Sequence, residues 1–213
     1  MLPLIVYVVE PSEGQSRNVM MYGHLDKQPY EEPWEEGLGP ITPVIRDGKL
    51  YGRGGADDGY ASFSAMLAVK NAQLQGVKLP RIVLVLETEE ESGSDFLISL
   101  LKVAEDFIQK PDVLICLDSG CLDYEQMWLT SSLRGVAMVD MQVTHSGSHA
   151  GSASGVVPDT FSIVRTLLDR IDDEETGLVH EDIQNPIPDW KIKEAENLAA
   201  LKGRELCEKL TVL

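Results

Sequence analysis

Two unbroken apolar runs constrain the fold of this chain more than any other feature of its sequence. They read RIVLVLE at residues 81–87 and DVLICLD at residues 112–118. Such runs are typical of strands that are buried on both faces of a parallel sheet. The interval between them predicts a helix over residues 95–108, with Ser94 as its N-cap. The two runs therefore indicate a strand, helix, strand unit of an α/β fold.

Weaker signals extend this unit toward the start of the chain. Segments rich in β-branched or aromatic residues predict strands at 3–9 and 18–23, and helical spacing of apolar residues predicts a helix over 58–75. The Asp47-Gly48 pair predicts a hairpin. Together these elements predict a doubly wound, mostly parallel sheet with helices on both faces, whose ligands bind beyond the carboxyl ends of the strands.

The hydrophobic pattern changes after the segment LTSSLRG. Residues 135–145 alternate apolar with polar or small side chains, which predicts a strand with one wet face, and residues 157–171 have the pattern of an amphipathic helix. A charged helical stretch follows over 191–210. We therefore expect a first domain over residues 1–134 and the start of a smaller α+β domain over residues 135–213.

The charge balance excludes some classes of partner. The 213 residues include 18 Lys and Arg against 35 Asp and Glu, a formal net charge of -17. Nucleic acid and anionic membranes are poor partners for such a chain. The three cysteines are odd in number and lack the close pairing of a zinc knuckle or a disulfide scaffold, so we expect a reducing, cytoplasmic setting.

Acidic or histidine-bearing clusters occur where the predicted strands and the hairpin end. They are His24 with Asp26, Asp57 with Asp58, Glu89 to Glu91, and Asp118. Each cluster alone has an ordinary explanation: a partly buried histidine, an aspartate that caps a helix, or a solvated turn. Like charges crowded at one sheet edge repel unless a proton or a cation intervenes. Their coincidence at the same edge therefore favours a metal site.

The ligand types indicate which ion such a site would hold. One imidazole with several carboxylates suits zinc, manganese or cobalt, and zinc is our first expectation. Carboxylates can also bridge, so two ions that share one aspartate would use this set.

The same segments carry a resemblance to a known family. The series GHLD, YGRGGADD, EEESGS, CLDSG and HSGSHAG resembles the co-catalytic zinc metallopeptidases, which include carnosine dipeptidases, glutamate carboxypeptidases and aminoacylases. The hairpin IRDGKLYGRG and the later LRG are most similar to the carnosine dipeptidase-like branch. The resemblance implies the α/β catalytic domain of that family, followed by the start of its lid or dimerisation domain.

The resemblance also implies roles for the residues around the histidine. His24 would bind one metal ion, and Asp26 would hold its imidazole from behind, as carboxylates do for ligating histidines. Asp57 would bridge both ions and would be followed by a cis peptide bond. Asp118 would complete the protein ligands of the ion bound by His24.

The same resemblance also applies to the glutamates after the predicted strand over 81–87 and to a histidine of the second domain. Glu90 would be the general base, Glu91 would bind the second ion, and Glu89 would be solvated. Both Glu90 and Glu91 can serve one site only if the chain turns there, which Ser92-Gly93 permits. In the second domain, His149 would contact a substrate oxygen, often across a dimer interface, although a plain loop residue is the ordinary explanation of that histidine.

The implied activity is the metal-dependent hydrolysis of an amide bond in dipeptides or short peptides. An N-acyl amino acid amidohydrolase or deacetylase of the same scaffold is an alternative. The family also has a final metal-binding histidine, and neither His145 nor His180 has a matching motif. We therefore expect an internal part of a longer enzyme, completed by its C-terminal portion or forming a homodimer, with an inactive fragment or subunit as the third possibility.

Overall fold

The computed structural model describes residues 3–30, 33–145 and 147–209, with side chains to residue 204. The chain divides into two compact units, Met1–Arg134 and Gly135–Leu213. The identity of these units as parts of a catalytic domain and of a lid domain stays a prediction.

The strands of the first unit form one mixed sheet and one hairpin. In chain order the strands are β1 (Ile5–Val9), β2 (Asn18–His24), β3 (Val44–Arg46), β4 (Lys49–Tyr51), β5 (Arg81–Glu87) and β6 (Val113–Cys116). The larger sheet has the order β1-β5-β2-β6. Strand β2 runs parallel to both β5 and β6, while β1 is antiparallel to β5. The predicted α/β class with a mostly parallel sheet is confirmed.

Helices cover both faces of this sheet, as predicted. They are α1 (Tyr60–Leu74), α2 (Leu97–Val103) and α3 (Glu105–Ile108). Ala65 of α1 packs with Leu84 and Leu86 of β5, whereas Ile108 of α3 packs with Val83 and Val85. Successive side chains of a strand point to opposite faces, so the two helices lie on opposite sides of β5. This burial on both faces explains why the β5 sequence is continuously apolar.

The parallel register places three strand ends at one edge of the sheet. His24 is paired with Glu87, and Tyr22 is paired with Cys116. The segments that follow β2, β5 and β6 therefore leave the sheet side by side. The β3–β4 hairpin is confirmed as well, with Asp47 and Gly48 both at positive φ in its two-residue turn.

The predicted helix over 95–108 is wrong in two respects. It consists of two short helices that meet at Ala104, and Ser94 does not cap it. Ser94 has a φ of 54° and donates its backbone N–H to the carbonyl of Glu89, so it closes the preceding turn instead. Phe96 takes the N-cap position of α2 without a side-chain hydrogen bond.

The regular elements described in the second unit are helices, beside an isolated antiparallel bridge between Asp172 and Val179. Its helices are α4 (Ala150–Ala153), α5 (Thr160–Leu168) and α6 (Asp189–Lys209), so the two predicted helices exist, within shifted boundaries. The strand predicted over 135–145 is wrong, because that segment forms no ladder with any described residue. Alternation suits a strand only where a partner strand satisfies its backbone groups. Among the described helices, none is both long and apolar enough to cross a membrane.

Candidate active site

The site is built around the buried imidazole of His24 at the end of β2. Its Nε2 lies 2.9 Å from Asp57 Oδ1 and 3.9 Å from both Glu90 Oε2 and Asp118 Oδ2. Its Nδ1 lies 3.1 Å from the backbone oxygen of Asp26. The Nε2 edge of one imidazole therefore faces carboxylates from three other segments. The structure brings together the residues that the sequence grouped from their positions at strand ends.

Asp57 and Asp58 occupy an irregular turn immediately before α1. Residues 55–59 form a π-helical turn, but the backbone angles of both aspartates are non-helical and the peptide bond between them is cis, as the resemblance implied. Helix α1 begins at Tyr60 without a side-chain cap, so the ordinary explanation of Asp57 as a helix cap is wrong. The Asp57 side chain is 58% exposed, whereas that of Asp58 is fully buried and accepts the backbone N–H of His24 at 3.1 Å.

The glutamates lie in a tight turn after β5. Glu90 to Ser92 form a single 3-10 turn that ends at Gly93, with a φ of 103°. A carboxylate of Asp26 accepts the backbone N–H groups of Glu90 and Glu91 at 3.2 and 2.9 Å. Gln28 Nε2 donates to Glu91 Oε2 at 2.6 Å. The turn that the sequence required between Glu90 and Glu91 is present.

Asp118 follows β6 and is held through its neighbours. The backbone N–H of Leu117 donates to the carbonyl of Tyr22 at 2.9 Å, and the Tyr60 hydroxyl donates to the carbonyl of Leu117. Beneath this edge, the Tyr22 hydroxyl donates to a carboxylate oxygen of the buried Glu87. The two contacts of Leu117 anchor the segment that carries Asp118 to β2 and α1.

Burial and the nearby charges change the pKa values of three site residues. Burial lowers the pKa of His24, but Asp118, the carbonyl of Asp26, Glu90 and Asp57 together raise that pKa above its ordinary value. Burial raises the pKa of Glu90 against the lowering effect of His24, and the charges of Asp118, Glu91 and Asp26 add to the increase. Burial also raises the pKa of Asp58. These directions are expected where partly buried carboxylates converge on one imidazole.

The donor set fits a divalent metal ion. Ligand atoms of His24, Asp58 and Asp118 lie within 4.8 Å of one another, and so do those of His24, Glu90 and Glu91. Asp58 Oδ1 and Glu91 Oε1 are buried, and neither has a hydrogen-bond partner among the described residues. Buried carboxylate oxygens without donors are costly unless a cation satisfies them. The sequence assigned no role to Asp58. Its position beside Asp57 was the only sequence signal that it could be a metal ligand.

A lysine beside the cluster was also missed. The Nζ of Lys27 is buried without a hydrogen-bond partner among the described residues, and its charge opposes the rise in the Asp58 pKa. Its stem packs against Gly54, which has a φ of 74°, and a Cβ at Gly54 would overlap that stem. The only sequence signal was a lysine directly after GHLD.

The histidine predicted to contact substrate lies in the second unit. His149 is exposed, and its Nδ1 accepts the backbone N–H of Gly151 at 3.1 Å, so it caps the N-terminus of α4. Its role toward a substrate stays a prediction.

Comparison with known proteins identifies a family model that matches residues 20–193, described as peptidase family M20/M25/M40. Cys-Gly metallodipeptidase dug1 of Schizosaccharomyces pombe is 29% identical over 177 residues, which cover 78% of this chain and 37% of that protein. Beta-Ala-His dipeptidase of Rattus norvegicus is 30% identical over 177 residues, which cover 78% of this chain and 36% of that protein. The chain thus spans less than half the length of these relatives.

Solved structures show the same fold at lower identity. Human carnosine dipeptidase 1 is 22% identical with a TM-score of 0.52, over 90% of this chain and 42% of that one. An M20 family metallo-carboxypeptidase from Sulfolobus solfataricus is 16% identical with a TM-score of 0.66, and the match covers 99% of this chain and 49% of that one. At these identities the likeness concerns the fold alone.

Proposed function

Since this chain belongs to peptidase family M20/M25/M40, we propose that the cluster around His24 is part of the active site of a metal-dependent hydrolase of dipeptides or short peptides. The observation that carries the proposal is the buried imidazole whose Nε2 faces Asp57, Asp118 and Glu90. Three carboxylates gathered at one imidazole repel one another unless a proton or a cation compensates their charge, and a metal ion held by these ligands would do so.

We assign the ligands as the resemblance implies. His24, Asp57 and Asp118 would hold one ion, and Asp57 with Glu91 would hold a second, although in the described structure it is Asp58 whose ligand atom groups with those of His24 and Asp118. Zinc is the proposed ion, since one imidazole and several carboxylates suit it, and manganese or cobalt would fit the same donors. When bound, such an ion polarises the scissile carbonyl and lowers the pKa of a water molecule.

Glu90 is the proposed general base. Its carboxylate lies on the Nε2 side of His24 and its pKa is raised, mainly by burial, toward the range in which a carboxylate exchanges protons efficiently near neutral pH. We propose that Glu90 accepts a proton from the attacking water and delivers it to the nitrogen of the leaving amine. Asp26 supports this step, because it holds the backbone of Glu90 and lies against the other imidazole nitrogen.

Isothermal titration with zinc and with manganese tests the ligand assignment. Wild-type chain should bind the ion, Asp57→Ala should lose most of that binding, and Asp106→Ala on the exposed side of α3 should retain it. A wild-type chain that binds neither ion, or an Asp57→Ala variant that binds as well as wild type, would overturn the assignment.

A substrate panel tests the reaction. Dipeptides and N-acyl amino acids are offered to the metal-loaded protein, and cleavage is followed by release of free amino acid. Preference for dipeptides is expected, whereas preference for the N-acyl compounds would favour the aminoacylase or deacetylase alternative.

Two further assignments belong to the same proposal. We propose a reducing, cytoplasmic setting, supported by the free, exposed thiols of Cys116 and Cys121. We also propose homodimer formation through the second unit, supported by exposed apolar side chains at Met138, Val139 and Phe161. Sedimentation equilibrium of wild type against Met138→Asp would test the dimer, which the charged side chain should weaken.

A further inference from the structure

A cavity of about 690 Å³ lies in the first unit beside the candidate metal ligands. Its lining comes from the tip of the β3–β4 hairpin, the turn before α1 and the loop after β6. Gly55 and Ala56 in this lining directly precede Asp57, and Ser119 directly follows Asp118. The cavity is therefore continuous with the segments that carry two of the proposed ligands.

The walls of this cavity present large apolar surfaces to solvent. Leu50 is 64% exposed and Tyr124 is 81% exposed, although both line a concave space. The Lys49 ammonium lies 5.4 Å from the centre of the Tyr124 ring and joins the hairpin tip to the loop after β6. Exposed apolar groups gathered in a cleft beside reactive polar groups are typical of a small-molecule site.

The charged groups of the lining do not select a charged ligand. Asp47 and Lys49 are both exposed and have opposite signs, so together they supply no net charge. The volume falls within the roughly 300–1,000 Å³ of small-molecule pockets and has room for a bulky amino-acid residue. Size and polarity therefore favour an uncharged, apolar or aromatic side chain.

We propose that this cavity is a side-chain subsite that receives the apolar or aromatic side chain of a short peptide whose scissile amide lies at the His24 cluster. The inference rests on the proposed function and adds its substrate class. Tyr124 supplies the apolar wall that contacts this side chain, and Lys49 holds the ring in place.

A thiol in the cavity provides a readout that does not require turnover. Cys121 lines the cavity and is free and exposed, and in a chain with Cys116→Ser and Cys207→Ser it is the only cysteine. The rate of its alkylation by iodoacetamide is measured by mass spectrometry in EDTA, with Phe-Gly, Gly-Phe or Gly-Gly present. A Phe-containing dipeptide at twice its dissociation constant should slow alkylation about threefold. Gly-Gly should leave the rate unchanged.

A matched pair of tyrosine variants tests whether Tyr124 forms the apolar wall of the subsite. Tyr124→Ala should abolish the protection, whereas Tyr30→Ala, at an exposed tyrosine outside the lining, should retain it. Equal rates with Phe-containing and Gly-Gly peptides, or full protection in Tyr124→Ala, would overturn the inference. Zinc titration of the same chain separates the two proposals. Metal binding without protection refutes the subsite alone, and protection without metal binding refutes the metal-dependent function alone.

Discussion

The carboxylate of Asp26 accepts the backbone N–H of Glu91 at 2.9 Å, and that of Glu90 at 3.2 Å. The same residue faces His24 Nδ1 with its backbone oxygen at 3.1 Å and with Oδ1 at 3.4 Å. Asp26 thus connects the end of β2 to the turn after β5. The resemblance assigned it to the imidazole, and the structure shows that its carboxylate also positions both glutamates.

Replacement of this carboxylate should damage both stability and metal binding. In Asp26→Asn, the amide oxygen can accept one of the two N–H groups, while the amide nitrogen faces the other. We expect a loss of about 1–3 kcal/mol in the free energy of unfolding, measured by urea denaturation, and weaker zinc binding by calorimetry. Asp106→Asn on α3 is the control, and an Asp26→Asn chain as stable as this control would contradict the expectation.

Close packing at Gly23 makes a second prediction. A Cβ there would lie 2.5 Å from Ala61 Cβ and 2.6 Å from Asp58 Oδ2. Because β2 and α1 cannot both keep their positions, Gly23→Ala should lower the free energy of unfolding by about 1–3 kcal/mol or more. Gly39→Ala, where a Cβ meets open space, should behave as wild type in the same urea titration. Similar stability for the two variants would be evidence against the packing of β2 on α1.

The hydrogen bond from the partly buried Tyr22 to the buried Glu87 leads to a third prediction. Loss of the hydroxyl in Tyr22→Phe removes the donor to a buried carboxylate whose Oε2 already lacks a partner among the described residues. We expect destabilisation of about 1–3 kcal/mol. Because Glu87→Leu removes the unsatisfied carboxylate, the double variant should be more stable than the sum of the single changes predicts. Additive effects in thermal and urea unfolding would show that the two side chains are not coupled.

The fourth prediction concerns pH in the metal-free chain. Burial raises the pKa of Glu90 in the folded state, so the folded chain binds this proton more tightly than the unfolded chain does. The resulting stabilisation is present below the unfolded pKa and is lost as pH rises through the folded pKa. Glu90→Gln cannot ionise. Its stability relative to wild type should therefore increase as the pH rises from about 4 to about 7.

Urea titrations in EDTA across this range measure that difference directly. Glu89→Gln, at the neighbouring glutamate of the same turn, serves as the control for the removal of one carboxylate. A difference between Glu90→Gln and wild type that stays constant with pH would contradict the raised pKa.

Features with a local physical cause were predicted from the sequence. The continuous apolar character of β5 follows from burial on both faces, and the Asp47-Gly48 turn follows from the positive φ that a two-residue hairpin requires. Features that depend on residues distant in the sequence were not predicted. Ser94 had the chemistry of a helix cap, but the turn after Glu89 uses its backbone instead. Residues 135–145 had the alternation of a strand without a described partner to pair with.

The sequence by itself determined which polar residues stand at the ends of buried strands, since hydrophobic periodicity and strand direction are local properties of the chain. Only the tertiary structure decided how these residues meet. His24 and Asp57 are 33 positions apart, and their contact at 2.9 Å depends on the irregular turn before α1, which directs Asp57 toward the imidazole and buries Asp58 beneath it. Hydrogen bonds are directional and short, so the packing of β2, β5, β6 and α1 sets the arrangement of the site.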